Sequence, residues 1–175
     1  MILVPVLVIV FYLPWQWAGQ ASAVVFILAA VTDGLDGWAA RSRGQISSFG
    51  AFLDPVADKL MVSTALVLLV QSQALWYVTI PAAIIIGREI AVSGLREWMS
   101  EIGQRAHLNV HGMAKLKTIV QMTAISLVLW AKPLWFIPIH TLGLVLLGVA
   151  AVLTLWSMFI YLRAAWPHMR DHDPG

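Results

Sequence analysis

Cysteine is absent from the 175 residues, and charged side chains make up only 11% of them. The first absence excludes a disulfide scaffold, a thiolate metal site and a cysteine nucleophile, and it leaves the redox compartment open. Any metal must be held by oxygen or imidazole. The scarcity of charge excludes a water-soluble globule, because ordinary soluble domains are about 25% charged. Disorder is excluded with it. What fills the chain is apolar, 60% by the AVILMFWYC count. Eleven Lys and Arg against nine Asp and Glu give a net charge of +2, too few cations on too apolar a chain for nucleic acid to be the main partner.

A helix crossing the hydrocarbon needs about 20 mostly apolar residues. Apolar stretches run over 1–13, 20–40, 51–71, 76–99, 113–131 and 138–165, which predicts six membrane helices. Between them stand Pro14 and Gly19, then Gln71, Ser72 and Gln73, then the segment from Gly103 to Gly112, then Pro133 and Pro138. Arg41, Arg43 and Lys59 flank the second-to-third connection, and Arg88, Arg96, Arg105, Lys115 and Lys117 flank the fourth-to-fifth. Arg163 and Arg170 follow the sixth segment, and only Lys132 falls on the opposite side. Cytoplasmic loops retain Lys and Arg, so both termini are expected in the cytoplasm. Trp15, Trp17, Trp76, Trp130 and Trp135 fall at the other ends, as interfacial aromatics do. The first stretch is short for a crossing and lacks the positive start of a signal peptide, which leads to the expectation that the natural chain begins upstream. One transmembrane domain over 1–165 and a short cytoplasmic tail over 166–175 are expected.

Four of the nine acids, Asp33, Asp36, Asp54 and Asp58, lie within one 26-residue window. A carboxylate in the hydrocarbon costs about 2.5–3.5 kcal/mol at mid-helix and less toward the interface, so something cationic must gather them. Asp33 and Asp36 are i,i+3, with Gly37 and Ala40 on the same helical face; Asp54 and Asp58 are i,i+4, with Gly50 one turn earlier. Two helices can thus aim two carboxylates each at a shared point. Such a hard oxygen set suits one or two Mg²⁺, Mn²⁺ or Ca²⁺ ions better than Zn²⁺. The small residues leave room for a bulky polar substrate. Pro55 after Asp54 is expected near a helix start, whose positive end favours phosphate. Two other readings stand beside this one: helix capping and ion pairing with Arg41, Arg43 and Lys59, or a cation pathway built on the acids.

From Asp33 to Asp58 the residues match the signature DxxDGxxARx8GxxxDxxxD at every defined position. By this signature the chain resembles the CDP-alcohol phosphotransferase family. Finer likeness, to the branch of the family that uses glycerol 3-phosphate, is carried by the FLDPVADK run over 52–59, by Arg88, Glu89 and Ile90 leading to Leu95, Arg96, Glu97 and Trp98, by Lys115, Leu116, Lys117 and Thr118 with Gln121 and Met122, and by 151–162. The chain departs from the family in lacking an opening interfacial helix with an Asn-Pro-Asn pattern, and in carrying Ala114 where glycine is expected.

The resemblance implies an all-α, six-helix transmembrane bundle with a truncated first helix. It implies transfer of a phosphatidyl group from CDP-diacylglycerol to the primary hydroxyl of sn-glycerol 3-phosphate, giving phosphatidylglycerophosphate and CMP. A relative taking another alcohol, as in cardiolipin synthesis, and a cation transporter are the alternatives. By analogy Asp33, Asp36, Asp54 and Asp58 are ligands of Mg²⁺ or Mn²⁺ in a two-ion site, and Asp58 is the general base. Asp33, Gly37, Ala40, Arg41 and Gly50 are expected at the nucleotide. The acceptor brings its own dianion, for which Arg88, Arg96 and Lys117, at span ends, are the expected cations. Glu89 and Glu97 are expected to pair with the neighbouring arginines or orient them. His107, His111, His140, His168 and His172 form no ligand pattern. Gly143 and Gly148, with Ala150 and Ala151, mark close helix packing and a candidate homodimer seam. The expected location is the cytoplasmic (inner) membrane, with the site facing the cytoplasm.

Overall fold

The structure, a computed structural model, describes the backbone of residues 2–43, 48–101, 111–133 and 138–171 and the side chains of 2–32, 56–100, 116–133, 138–163 and 165–166. Among these residues there are six helices and no strand: α1 (Leu3–Tyr12), α2 (Ala18–Arg43), α3 (Ser48–Gln73), α4 (Trp76–Glu101), α5 (His111–Trp130) and α6 (Ile139–Asp171). Each covers one of the six apolar stretches. Helix α1, with 10 residues, is about 15 Å long at 1.5 Å per residue, half the hydrocarbon thickness of about 30 Å. Helix α6 continues past Arg163 to Asp171, so most of the expected tail is helical.

Local chemistry sets the ends. Leu13, after the last residue of α1, turns to extended backbone at ψ 137°, and Pro14 follows it. The α3–α4 and α5–α6 connections each begin on an alanine with positive φ, Ala74 at 48° and Ala131 at 58°. This is the left-handed position after a helix that glycine usually fills. Pro55 and Pro81 both lie inside helices, as the eighth residue of α3 and the sixth of α4. Pro55 is thus not at a helix start as expected: α3 begins a full two turns earlier, at Ser48. Membrane helices tolerate such prolines because neighbouring groups satisfy the freed carbonyl.

The core is apolar, as in a soluble protein, and the outer surface is apolar as well. The centre holds Phe26, Leu66, Leu69, Ile85, Ile125, Leu129 and Leu147 together with small residues Ala23, Ala29, Ala65, Ala82, Ala124 and Ala150, which let helix backbones approach closely. Buried among them are polar side chains: Ser22, Lys117, Gln121, Thr154 and Ser157. The outside is apolar, with Ile80, Ile90, Ile119, Val145, Val152, Trp156 and Phe159 all exposed. In α4 and α6, Trp76–Ser100 and Ile139–Arg163 are long and apolar enough to cross a membrane; the apolar parts described in α2 and α5, Ala18–Thr32 and Leu116–Trp130, are shorter. Such a surface belongs in lipid, and the chain is a membrane protein.

Helix α6 packs on α5 and α4, α2 on α5 and α1, and α3 on α4 and α2. Two glycines permit the tightest contacts. A Cβ on Gly19 would stand 2.8 Å from the Leu129 carbonyl, and one on Gly143 would stand 2.8 Å from Val128 Cγ2 and 2.9 Å from Leu127 Cβ. Gly143 is therefore consumed by the α5–α6 contact inside one chain, and Ala150 and Ala151 are buried in the same chain. Only Gly148 of the expected dimer seam faces open space. The seam reading fails for Gly143 because helical small residues serve the nearest helix first.

Candidate active site

Helices α2 and α3 are neighbours, and both run unbroken through the acidic signature: Asp33, Asp36, Gly37, Ala40 and Arg41 on α2, Gly50, Asp54 and Asp58 on α3. The helical spacing inferred from sequence therefore holds. The side chains of Asp33, Asp36, Gly37, Ala40, Arg41, Gly50 and Asp54 lie outside the described residues. Asp58 is described, half-buried and within electrostatic reach of Lys117 on α5. Among the described residues no three acidic or imidazole side chains stand together as a metal site; three of the four signature aspartates lie beyond them.

Against this acidic side stands a cationic one. Lys117 is only 5% exposed. Its Nζ lies 3.6 Å from Glu89 Oε1 on α4, and Gln121, one turn along α5, donates from Nε2 to the same oxygen at 3.5 Å. An ammonium this deep needs a nearby anion, since an isolated buried charge is far too costly. Arg88 crosses to α6, where its Nη2 donates to Ser157 Oγ at 3.0 Å. Arg96, two turns further along α4, donates to the Tyr161 hydroxyl. The three cations expected at the acceptor are thus gathered between α4, α5 and α6, with Lys117 the one facing Asp58.

The pairing of Glu89 differs from expectation. Its ion pair is with Lys117, not with the adjacent Arg88. Neighbours in sequence point about 100° apart on a helix, so Glu89 looks toward α5 while Arg88 looks toward α6. Glu97 is exposed. The Ser93 hydroxyl donates to the Glu89 carbonyl at 2.5 Å, inside α4.

Sequence reasoning missed Thr154, Ser157, Tyr161 and Gln121. A signal existed for the first three: spacings of three and four place them on one face of an otherwise apolar helix. Among the described residues, buried polar atoms without a hydrogen-bond partner also fall here: Arg88 Nε, Gln121 Oε1 and Thr154 Oγ1. They mark a region equipped for a polar guest.

The opposite end of the bundle is chemically different. A cleft of about 540 Å³ is lined there by Phe11, Gly19, Gln73, Leu129 and His140 among others. Lys132, the only Lys or Arg described at this end, donates from Nζ to the Gln16 carbonyl at 2.6 Å and sits 4.9 Å over the Trp17 ring. Trp15, Trp17 and Trp76 are exposed here, Trp130 is half-buried, and Trp135 lies outside the described residues. His140 stands with no acidic partners that would make it a metal ligand among the described residues; the other four histidines' side chains lie outside them.

Comparison with known proteins identifies the family. A protein of Salmonella choleraesuis (strain SC-B67) named CDP-diacylglycerol–glycerol-3-phosphate 3-phosphatidyltransferase is 51% identical over 170 residues, covering 97% of this chain and 92% of its own. Proteins of the same name from Shigella flexneri serotype 5b (strain 8401) and Escherichia coli (strain K12) are each 49% identical with the same coverage. The family profile for CDP-alcohol phosphatidyltransferase matches residues 1–157, through α1 to α5 and most of α6. With signature, helical bundle and full-length relatives in agreement, the chain belongs to the CDP-alcohol phosphatidyltransferase family.

Proposed function

We propose that this chain is a transferase that moves the phosphatidyl group of CDP-diacylglycerol to sn-glycerol 3-phosphate, releasing CMP and forming phosphatidylglycerophosphate. The observation that carries this reading is the identity of about half of all positions, along 97% of the chain, with enzymes named for that reaction. The cationic set of Arg88, Arg96 and Lys117 supports a phosphorylated acceptor.

In the transfer, the acceptor hydroxyl oxygen attacks the phosphorus that bears the diacylglycerol, and the bond from that phosphorus to the CMP oxygen breaks. Asp58 takes the hydroxyl proton, as a general base within reach of the nucleophile must. Lys117 on α5 lies within electrostatic reach of Asp58. Arg88 and Arg96 hold the acceptor's phosphate, for which a guanidinium fork is well shaped. Gly37, Ala40 and Gly50, small residues on α2 and α3, together with Asp33 and Arg41 would form the nucleotide site.

The aspartates fit a divalent metal. Their donors are hard carboxylate oxygens, they come in pairs on two helices that pack together, and Asp58 is half-buried. Asp33, Asp36, Asp54 and Asp58 would hold two Mg²⁺ or Mn²⁺ ions. When bound, the ions supply neutralisation of the pyrophosphate charge.

The protein sits in the cytoplasmic membrane as a multi-pass bundle with this site toward the cytoplasm. In support, Arg96, Lys117 and Arg163 lie in the halves of α4, α5 and α6 away from Lys132, whereas Arg88 and Lys59 stand near the middle of α4 and α3 rather than at span ends as expected. A homodimer would use an outer face, since Gly143 is already occupied.

Purified protein in liposomes containing CDP-diacylglycerol, offered a panel of alcohols, tests the reading. CMP release that requires glycerol 3-phosphate and added Mg²⁺ or Mn²⁺ is the expected result. Release with a different alcohol alone would move the chain to another branch of the family. Metal flux without CMP would make it a transporter.

A further inference from the structure

Arg88 and Arg96, on α4, reach the same residue of α6. Their guanidinium carbons lie 5.7 and 4.9 Å from the centroid of the Tyr161 ring. The phenol oxygen accepts the hydrogen bond from Arg96 Nη2. One turn earlier on α6, Ser157 accepts from Arg88 Nη2 and donates onward to the Thr154 carbonyl at 3.0 Å. Tyr161 is 9% exposed and Ser157 3%, so this clasp is fixed from inside the bundle.

Two like charges gathered at one aromatic ring repel each other and stay together only if the surroundings hold them. The ring offers its quadrupole to both cations, and the hydroxyl tethers one of them. Arg88 Nε, buried, finds no hydrogen-bond partner among the described residues. A pair of adjacent cations with an unsatisfied donor matches an anion that has several oxygens, and a phosphate monoester dianion is of that kind.

We infer that Tyr161 is a positioning residue, whose ring and hydroxyl set Arg88 and Arg96 at the spacing that receives the phosphate of the acceptor alcohol. The inference rests on the reading of the chain as a glycerol-3-phosphate transferase. Tyr161 acts through the arginines and needs no contact with substrate. A phenylalanine at 161 keeps the ring contacts and releases Arg96, whereas Ser157→Ala releases Arg88 and leaves the ring in place.

Steady-state kinetics in liposomes, with each substrate varied in turn, test this. Wild-type protein comes first: no CMP from glycerol 3-phosphate would sink the proposed function itself. With wild-type activity in hand, Tyr161→Phe raises KM for glycerol 3-phosphate about tenfold, the size of one lost charge-assisted hydrogen bond. Its kcat and its KM for CDP-diacylglycerol stay within about twofold of wild type, as expected when only acceptor binding is weakened. In an Arg96→Ala background the same Tyr161→Phe change adds less than about twofold, because residues acting as one unit are not additive. Ser157→Ala raises the same KM. An unchanged acceptor KM in Tyr161→Phe overturns the inference, as does a fall in kcat with acceptor KM unaltered. A full tenfold effect of Tyr161→Phe without Arg96 also overturns it.

Discussion

Glu89→Gln is the sharpest perturbation of the interior. It keeps the shape of residue 89 and removes the charge that faces Lys117. At 3.6 Å the raw attraction of the pair is about 4–5 kcal/mol with an effective dielectric near 20, most of it offset by desolvation of both groups. The cost of breaking such a pair lies elsewhere: Lys117, 5% exposed, is left buried without its closest anion, which typically costs about 3–5 kcal/mol. Two facts reduce that figure here, since Asp58 still acts on Lys117 and the Glu89 side chain is 16% exposed. A loss of about 2–3 kcal/mol is expected for Glu89→Gln, and about 1–2 kcal/mol for Lys117→Met, which leaves Glu89 with its hydrogen bond from Gln121. The double variant removes both members of the pair and should stand within about 1 kcal/mol of wild type, a coupling of about 2–5 kcal/mol. Reversible unfolding in detergent micelles, followed by fluorescence of the nine tryptophans, measures all four proteins. Losses that simply add in the double variant would refute the reasoning. Acceptor KM is a separate readout: the double variant recovers stability without recovering affinity for glycerol 3-phosphate, because Lys117 is gone.

Gly143→Ala forces a Cβ to within 2.8 Å of Val128 Cγ2, and overpacking of this kind should cost about 1–3 kcal/mol in the same unfolding measurement; an unchanged midpoint would mean that α5 and α6 are not in close contact there. Ala74→Gly and Ala131→Gly relieve positive φ at two helix ends and should each stabilise by about 0.5–1 kcal/mol, read as a rise in Tm. Asp58→Asn should lower kcat by at least about 10²–10⁴, the usual contribution of a general base, because it also removes a candidate metal ligand. Turnover at the wild-type rate would remove Asp58 from that role.

The helices were legible in the sequence because lipid imposes long apolar runs, and each run became one of the six elements. The acidic signature was legible because it lies on two contiguous stretches, where spacing alone fixes the face. What escaped was everything that depends on which faces of distant helices meet. Glu89 sits beside Arg88 in the chain, yet its partner is Lys117, 28 positions away. Tyr161 and Ser157 fall in the run over 151–162 that carries the finer likeness, yet their partners, Arg96 and Arg88, emerge only where α6 meets α4. Gly143 announced close packing without saying against what; its partner was α5 of the same chain. Pro55 suggested a helix start because proline in a soluble helix interior is costly, whereas within a membrane bundle it sits eight residues in.

The central claim is that aspartates of α2 and α3 together hold divalent cations opposite the arginine and lysine side chains of α4 and α5. Manganese binding to the purified protein with CDP-diacylglycerol present, counted by electron paramagnetic resonance of free and bound Mn²⁺, tests it most directly. Saturable binding that disappears in both Asp36→Asn and Asp58→Asn, one substitution on each helix, is the predicted result. Mn²⁺ bound equally well by both variants would contradict the account.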